Sequence, residues 1–542
     1  AGQVWEKSIR QAGGARTERL MFLTSLPPDL EDVDQLLRRR KKAADRKDLW
    51  RSTYREAYQY AMPSRETFTW ILEGQNKQRA LYDSTLQETT YTAANTLCAL
   101  LFPAWMRWAE LAPGGAIPVD QVTEEIRDGL QKATQTFFSF LNNSNFSTVV
   151  NEAALDLMVG TCALSFDEGD NDKPFKFTSI PLSAIEIEEG PDGTVETTWM
   201  CSKPTARVLT RMYPGMNSLD LSASTQDAIV QTPDKEIEII QGEVYHPQTG
   251  NYFGLVIETA AKQIVWRYGY GTSCPTIVAR ATKVAGETYG RGRVLLALAD
   301  AKTLDKMQEF VLRHAALAVA PPLTGVTDGV LNPYTATLAP GTIIPVASND
   351  SGNPSLTPIP IGGNFRVTET LMTDLRERVR RTMLGPEPSE GAVKSATEIN
   401  ISDRNRLWAM NGEYNRIQAE LLAKIIARGV FILQKKGLMP KFKVDGREVV
   451  VKYTSPFAKS QNAEDVMALQ ETLMVAGTLG PENLTLNLKV EDIPAWVARM
   501  KGVPEALICS EEERTQRMQQ AAQAASMMQQ AQQPDAGAMQ GG

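Results

Sequence analysis

The sequence predicts an α+β chain, and three observations carry that prediction. Long charged stretches place apolar residues three and four apart, which marks helices. Between Ala163 and Arg280 polar and apolar residues alternate instead, with turns at Pro191-Asp192-Gly193 and Pro247-Gln248-Thr249-Gly250, which marks a β-rich lobe. The segment Pro321–Asn364 has a third texture, with eight prolines, six glycines and only two ionisable side chains, Asp328 and Asp350.

The elements follow in order. Residues 1–27 are polar and are expected to be mobile. Asp29–Ala61 has helical periodicity, with Leu36, Leu37 and Leu49 among basic runs such as Arg38-Arg39-Arg40-Lys41-Lys42, which reads as a solvated helix face. Helices are expected at Ala80–Leu101, which ends at Phe102-Pro103, at Gln121–Asn142 and at Ser147–Val159 before Gly160. Thr194–Trp199, Glu236–Val244 and Tyr252–Glu258 are the strand candidates of the lobe.

Arg293–Ala318 and Phe365–Leu384 read as two long helices flanking the neutral segment. In that segment Leu323–Val326, Thr342–Val346 and Leu356–Ile361 can form short strands. A structureless connection of that length is anomalous in a compact domain, and a neutral module at the tips of two helices is built to be buried against a partner. In the second long helix Leu371, Leu375 and Val379 are the expected packing face. Arg376 and Arg380 share a neighbouring face, either solvated or, in a ring of copies, stacked as belts of positive charge.

Gly385–Ala396 contains Gly385-Pro386-Glu387-Pro388-Ser389-Glu390-Gly391 and is expected to be a mobile loop. Ser395-Ala396-Thr397-Glu398 is a capping box that restarts a helix. That helix runs to about Lys436, roughly 60 Å at 1.5 Å per residue, with Leu407, Met410, Tyr414, Ile417, Leu421 and Ile425 as its apolar stripe. A hairpin (Lys441–Val444, Arg447–Tyr453) turning at Asp445-Gly446, two or three helices and a Gln/Ala/Met-rich tail from Glu511 complete the chain.

Catalytic signatures are missing. Neither His246 nor His314 neighbours a nucleophile, no phosphate-binding Gly-x4-Gly-Lys-Ser/Thr occurs, and Gly286, Gly290 and Gly292 have the wrong spacing for a dinucleotide fingerprint. These glycines read as a turn that lets Arg291 and Arg293 begin the long helix. The acidic turn with Asp167, Asp170 and Asp172 does not complete a calcium loop and reads as solvated. Cys98, Cys162, Cys201, Cys274 and Cys509 lack ligand spacing and read as free thiols. Neither cofactor nor metal is expected. The chain opens with no signal peptide, and its longest apolar run, Thr96–Trp108, is broken by Pro103 and Arg107. It is expected to be soluble and intracellular when made, without a membrane anchor. With a formal charge of −7, nucleic-acid contact must come from local patches.

Several motifs together resemble a known family. Tyr58-Gln-Tyr-Ala-Met-Pro-Ser64, Tyr82-Asp-Ser84, Leu101-Phe-Pro-Ala-Trp-Met-Arg-Trp108 and Gly286-Glu-Thr-Tyr-Gly290 resemble the signature of portal proteins, or head-to-tail connectors, of short-tailed bacteriophages of the podovirus type. The order helix, Pro/Gly-rich module, helix, loop, long helix is similar to the portal plan, and the Glu511-Glu-Glu start of the tail also resembles the family.

The resemblance implies a ring, expected to be a dodecamer, at one capsid vertex. Double-stranded DNA would pass non-specifically through it during packaging and ejection. The expected partners are the terminase motor, a tail adaptor, and capsid and scaffolding proteins, and the expected location is the virion. It implies a flexible segment (1–27), a helical and β-rich wing (28–286), a two-helix stem (287–320 and 365–384) and a small β-containing clip (321–364). A tunnel loop (385–396), a long helix with the wing hairpin (397–454), a helical crown (455–510) and a tail (511–542) follow. Clip contacts between subunits would come from Thr342, Ile343, Ile344 and Val346. Arg376, Arg380, Lys394, Glu387 and Glu390 are the candidates to face the channel or its DNA. The competing expectations are a tail or internal virion protein without a channel, distinguished by particle symmetry, and a DNA-packaging enzyme, distinguished by ATPase activity.

Overall fold

The alternating stretch folds into two antiparallel sheets. The computed structural model describes residues 26–69, 81–103, 106–114, 124–213, 221–319, 321, 323–325, 356–358, 365–385, 411–440, 442, 449–454, 466–475, 490, 492–500, 509, 513–514 and 517. The chain divides into two units, Ala1–Ala99 with Pro113–Val450, and Leu100–Ala112 with Val451–Gly542.

In the first unit β4 (Ile185–Glu189), β5 (Val195–Ser202), β6 (Ile239–His246), β7 (Asn251–Glu258) and β8 (Gln263–Gly271) form a five-stranded sheet in that order. The β6–β7 register runs from Ile239 opposite Glu258 to His246 opposite Asn251, and Gly250 at φ +67° closes the expected turn. Both faces of this sheet are covered. Ile240, Val244, Leu255, Ile257 and Ile264 meet Leu30, Leu36 and Ala43 on one side. Ile239, Val256 and Val265 meet Leu209, Tyr213 and Ala228 on the other. The helix behind the first face is α1 (Val33–Ala61), begun by Asp32, whose carboxylate accepts from the Gln35 amide at 3.1 Å. Behind the second face lie α5 (Ala206–Met212) and α6 (Ala223–Gln231).

Two-sided burial explains why the sequence pattern located only part of this lobe. A run such as Thr276-Ile277-Val278-Ala279-Arg280, buried at every position, does not alternate in burial because both of its faces are packed. The strands β4 and β8, the second sheet of β3 (Phe175–Ile180), β2 (Thr161–Glu168) and β9 (Thr276–Arg280), and helices α5 and α6 are therefore additions to the sequence-based expectation. The second sheet carries Phe166, Phe175 and Phe177, with Phe166 stacked on Phe177 at 4.2 Å, beneath α4 (Phe146–Val159). Glu243 ties the two sheets together. Its Oε2 accepts from Thr198 Oγ1 (3.2 Å), Cys274 Sγ (3.1 Å) and the Thr276 amide (3.1 Å). Burial raises the Glu243 carboxyl above its ordinary range despite these donors.

The basic run of α1 is only partly a solvated face. Arg40 holds Glu186 by two bonds of 2.8 Å, and Arg39 holds Glu188 at 2.8 Å, so these two fasten the helix to β4. Arg38, Lys41 and Lys42 are exposed. Helices α2 (Thr85–Leu101) and α3 (Glu124–Asn142) complete the helical front, and α2 starts later than expected because Asp83 Oδ1 accepts from the Thr85 amide at 2.9 Å.

The long helices α7 (Arg293–Val319) and α8 (Phe365–Leu384) form as the sequence predicts. At the end of α7, β10 (Leu323–Gly325) pairs antiparallel with β11 (Leu356–Pro358). The later long helix is described as α9 (Asn411–Ile417), a π turn (Gln418–Leu422) and α10 (Ala423–Lys435), and Tyr414, Ile417, Leu421 and Ile425 are buried as expected. In the second unit β1 (Ala109–Pro113) pairs with β12 (Val449–Tyr453), the Thr454 amide donates to the Trp108 carbonyl at 2.8 Å, and α11 spans Ile493–Met500. The expected strand Thr342–Val346, the capping box Ser395–Glu398 with Leu407 and Met410, and the turn Asp445-Gly446 lie outside the described residues, as do residues 1–25 and most of the tail.

Glycines record the tightest backbone approach. A Cβ on Gly292 would lie 2.1 Å from the Met158 carbonyl oxygen, and one on Gly290 would lie 2.3 Å from that of Gly160. Gly129 in α3 and Gly412 in α9 have open space around them. Gly292→Ala is therefore expected to lower unfolding stability by about 2–3 kcal/mol through backbone displacement. Gly129→Ala is expected to raise it by up to about 1 kcal/mol. Urea midpoints of the two variants against the parent chain check both signs.

Candidate functional site

The helix pair α7–α8 is firmly built at one end and open at the other. On α7, Val294, Ala297, Leu298, Ala301 and Leu304 are buried at three- and four-residue spacing, facing Met372, Val379 and Met383 of α8. The α8 stripe is not quite the expected one. Val379 is buried, but Leu371 is 51% exposed and Met372 and Met383 take the packing positions. Two candidate faces lie side by side on this helix, and Met at 372 and 383 fills irregular space that the Leu/Val pattern did not reveal.

The base is fixed by charges. Arg293, at the start of α7, donates to Glu413 of α9 at 3.0 Å and to the Met383 carbonyl of α8 at 3.0 Å, so one guanidinium gathers three helices. The preceding segment explains its own glycine pattern. The Gly290 amide donates to Thr161 Oγ1 (2.9 Å), its carbonyl accepts from the Tyr54 hydroxyl (2.6 Å), and Arg291 and Thr282 exchange backbone bonds of 2.9 and 3.2 Å. These glycines set a turn against β2 and β9 and lead into α7, as the sequence suggests.

Tyr82-Asp83-Ser84 fastens the middle of the pair. Asp305 of α7 accepts from the Tyr82 and Asp83 amides at 2.7 and 3.1 Å. Asp83 Oδ2 accepts from Arg376 Nε and Nη2 of α8 at 3.1 and 2.9 Å, while its Oδ1 caps α2. Arg378–Asp300 (2.6 Å) adds a bridge within the pair, and Lys302–Glu56 (2.6 Å) ties α7 to α1. Beyond Glu309 the residues of α7 carry little burial. Phe310 (57%), Leu312, Leu317 and Val319 (87%) are exposed, as are Val367 and Leu371 on α8.

The structure separates the two arginines that the sequence grouped. Arg376 is half-buried in its bidentate bond to Asp83, whereas Arg380 is exposed. Glu387, Glu390, Lys394, Thr342, Ile343, Ile344 and Val346 lie outside the described residues. Gly385 is described. At φ +84°, with its amide on the Arg381 carbonyl (2.9 Å), it ends α8 as a left-handed cap. Asp83, Asp305, Glu413 and Glu420 were not singled out by the sequence reading, because a single carboxylate far away in the chain gives no local signal. Only the Tyr82-Asp-Ser84 motif pointed toward one of them.

Several of the remaining candidates for chemistry have structural partners. His246 Nδ1 lies 2.9 Å from Thr249 Oγ1, and its Nε2 lies 3.2 Å from the Asp29 carboxylate. In the acidic turn, Glu168 accepts from Lys435 at 2.7 Å, the Gly169 carbonyl from Lys436 at 2.8 Å, and Asp167 from the Ser165 hydroxyl at 2.5 Å. The five cysteines are free thiols.

Asp83 gives a pH test. Burial pushes its carboxyl up, but bonds from Thr85 and Arg376 outweigh that and leave it below the ordinary value. A carboxylate with a lowered folded pKa adds stability at pH values above its unfolded pKa. That contribution is lost as pH falls through the folded value. Asp83→Asn is therefore expected to cost about 1–2 kcal/mol at pH 7, with the gap closing below about pH 4. Unfolding midpoints of both chains across this range check it.

A sequence profile of the bacteriophage head-to-tail connecting proteins matches residues 33–508. No curated protein matches the sequence. Among solved structures, a chain in the virion of a native gene transfer agent particle is 10% identical, with a TM-score of 0.35 over 78% of this chain and 90% of that one. A chain in the neck of the empty particle, computed with C6 symmetry, gives 10%, 0.34, 78% and 90% in the same order. One in the neck of the native particle, computed with C12 symmetry, gives 10%, 0.33, 74% and 91%. Because the profile takes in both sheets, the helix pair and the residues that anchor it, the chain belongs to the bacteriophage head-to-tail connecting proteins, which are structural components of the virion and not enzymes.

Proposed function

We propose that copies of this chain form a ring, a dodecamer, at one vertex of the capsid, through which double-stranded DNA is packaged and later ejected. The observation that carries this reading is the asymmetry of α7 and α8. Their base is sewn to the rest of the subunit, while Phe310, Leu312, Leu317, Val319, Val367 and Leu371 stand in water. Two helices with exposed apolar tips gain stability only when neighbouring tips cover them, and a repeated rotation that closes makes a ring.

In this reading residues 28–286 are the wing, 287–320 and 365–384 the stem, 321–364 the clip and 385–396 the tunnel loop. Residues 397–454 are the long helix with the wing hairpin, 455–510 the crown, and 511–542 the tail. The clip, with Thr342, Ile343, Ile344 and Val346 between neighbours, docks the packaging motor and then the tail adaptor. Capsid and scaffolding proteins meet the ring elsewhere. Arg380 supplies positive charge to the channel, and Arg376 is held back by Asp83. Lys394 meets phosphate at the tunnel loop, where Glu387 and Glu390 oppose adhesion. A subunit charge of −7 suits a conduit that DNA must leave, because many simultaneous phosphate contacts bind tightly.

Class averages of the purified chain test the ring directly, and particles with a central hole are the expected result. The double variant Phe310→Asp/Leu317→Asp is expected to stay folded, because both side chains are already exposed, but to sediment as a monomer at concentrations where the parent is a ring. Rings of unchanged stability from that variant would overturn the stem assignment.

A further inference from the structure

The basic run of α1 has a part that the connector reading leaves unused. With Arg39 and Arg40 committed to Glu188 and Glu186, the helix presents Arg38, Lys42 and Arg46 one turn apart on its exposed side, with Lys41 beside them. None of these four has a carboxylate partner among the described residues. Asp34, four residues before Arg38, and Asp45, four after Lys41, lie at helical spacing but form no ion pair with them, and Asp48 is already paired with Arg51 at 3.1 Å. On a chain of net charge −7, four cations without an ion pair within three turns are a local concentration of positive charge.

The stripe runs into a cleft. Arg46 lines both, and next to it stands Leu49, 80% exposed, above a hollow of about 470 Å³ lined also by Trp50, Thr53, Glu287 and Arg291. The Trp50 ring is already engaged by two neighbours. Tyr54 stacks on the ring at 5.2 Å, and the Arg291 guanidinium lies over it at 4.8 Å. Arg291 is itself neutralised by Glu287 at 2.6 Å.

We propose that this surface docks a peptide segment of another virion protein, acidic along its length and carrying one apolar side chain. The acidic part lies along Arg38, Lys42 and Arg46, and the apolar side chain covers Leu49 at the cleft. Charge complementarity sets the first half of that choice. The cleft argues against nucleic acid, because its one aromatic ring, Trp50, is already engaged by Tyr54 and Arg291, Arg46 is its one lining cation without an ion pair among the described residues, and Glu189 and Glu287 would face phosphate. A leucine left so exposed beside a hollow is suited to an apolar anchor.

The test uses the full-length protein and three labelled probes: a short peptide of alternating Glu and Ser with one central Leu, the same peptide with Ser at that place, and a short DNA duplex. The Leu peptide is expected to bind about tenfold more tightly than the Ser peptide, the factor for burying part of one leucine side chain. Its binding should weaken several-fold between about 50 and 200 mM salt. Arg38→Glu/Lys42→Glu/Arg46→Glu should abolish binding of both peptides, and Leu49→Ser should remove only the preference for Leu. Equal binding of the two peptides, binding that both variants leave unchanged, no peptide binding, or tighter binding of the duplex through the same cations would each overturn the proposal. Ring formation, followed in the same samples, keeps this outcome separate from the connector reading.

Discussion

Arg280 has no exposed surface, so every donor of its guanidinium must find an acceptor inside the protein. It does so by drawing together pieces that are distant in the chain. Nε and Nη2 donate to Glu420 at 3.1 and 2.6 Å, Nη1 to Glu189 and to the Thr288 carbonyl, and Nη2 also to the Gly193 carbonyl at 2.8 Å. Burial alone would lower the guanidinium pKa, but Glu420 and Glu189 more than offset it and raise it. Loss of Glu420, which accepts from both Nε and Nη2, would break this buried pairing at about 3–5 kcal/mol. Through this one side chain β9, β4, the segment before α7 and the π turn between α9 and α10 have fixed relative positions. The π turn itself is accounted for here: Glu420 sits within it and reaches the Arg280 amide at 3.0 Å.

From that point the order of the molecule can be followed outward. The Arg280 strand is held beside Gly160 and Gly290, whose missing side chains let two backbones meet. That contact sets the direction in which Arg293 leaves, and Arg293 in turn collects α8 and α9. Asp305 and Asp83 repeat the arrangement three turns further along. After these the buried positions on α7 run out, and exposed apolar side chains take their place. Stability is therefore graded along the helix pair, high where ion pairs and small residues close the base and low where the apolar side chains of the tips are exposed.

Much of this was legible in the sequence, for reasons that particular residues show. Arg293–Val319 and Phe365–Leu384 were evident because charge and three-four spacing persist over many turns. Gly385 was legible as a boundary because a left-handed cap nearly requires glycine. The β lobe was found as a region, with three of its strands located, but not strand by strand, since β9 is buried at every position and shows no alternation. The ion pairs were not legible. Arg376 and Asp83 are 293 residues apart, and nothing local tells an arginine that bonds a distant carboxylate from one that faces water. The pair Arg376 and Arg380 shows the limit of face reasoning, because one turn of helix separates a held side chain from an exposed one.

The same division runs through the basic residues as a group, and it bears on how a chain of net negative charge can handle a polyanion. Arg39, Arg40, Arg280, Arg293, Arg376 and Arg378 each have a named carboxylate within the subunit. They contribute rigidity, and little of their charge is left for a phosphate. Other cations, Arg380 on α8 and the Arg38, Lys41, Lys42 and Arg46 stripe on α1 among them, have no such carboxylate among the described residues. Salt-sensitive DNA affinity rises steeply with the number of phosphates engaged at once, so each arginine paired inside the subunit lowers it. Internal pairing of the arginines thus fixes the helices and at the same time withdraws their charge from the surface.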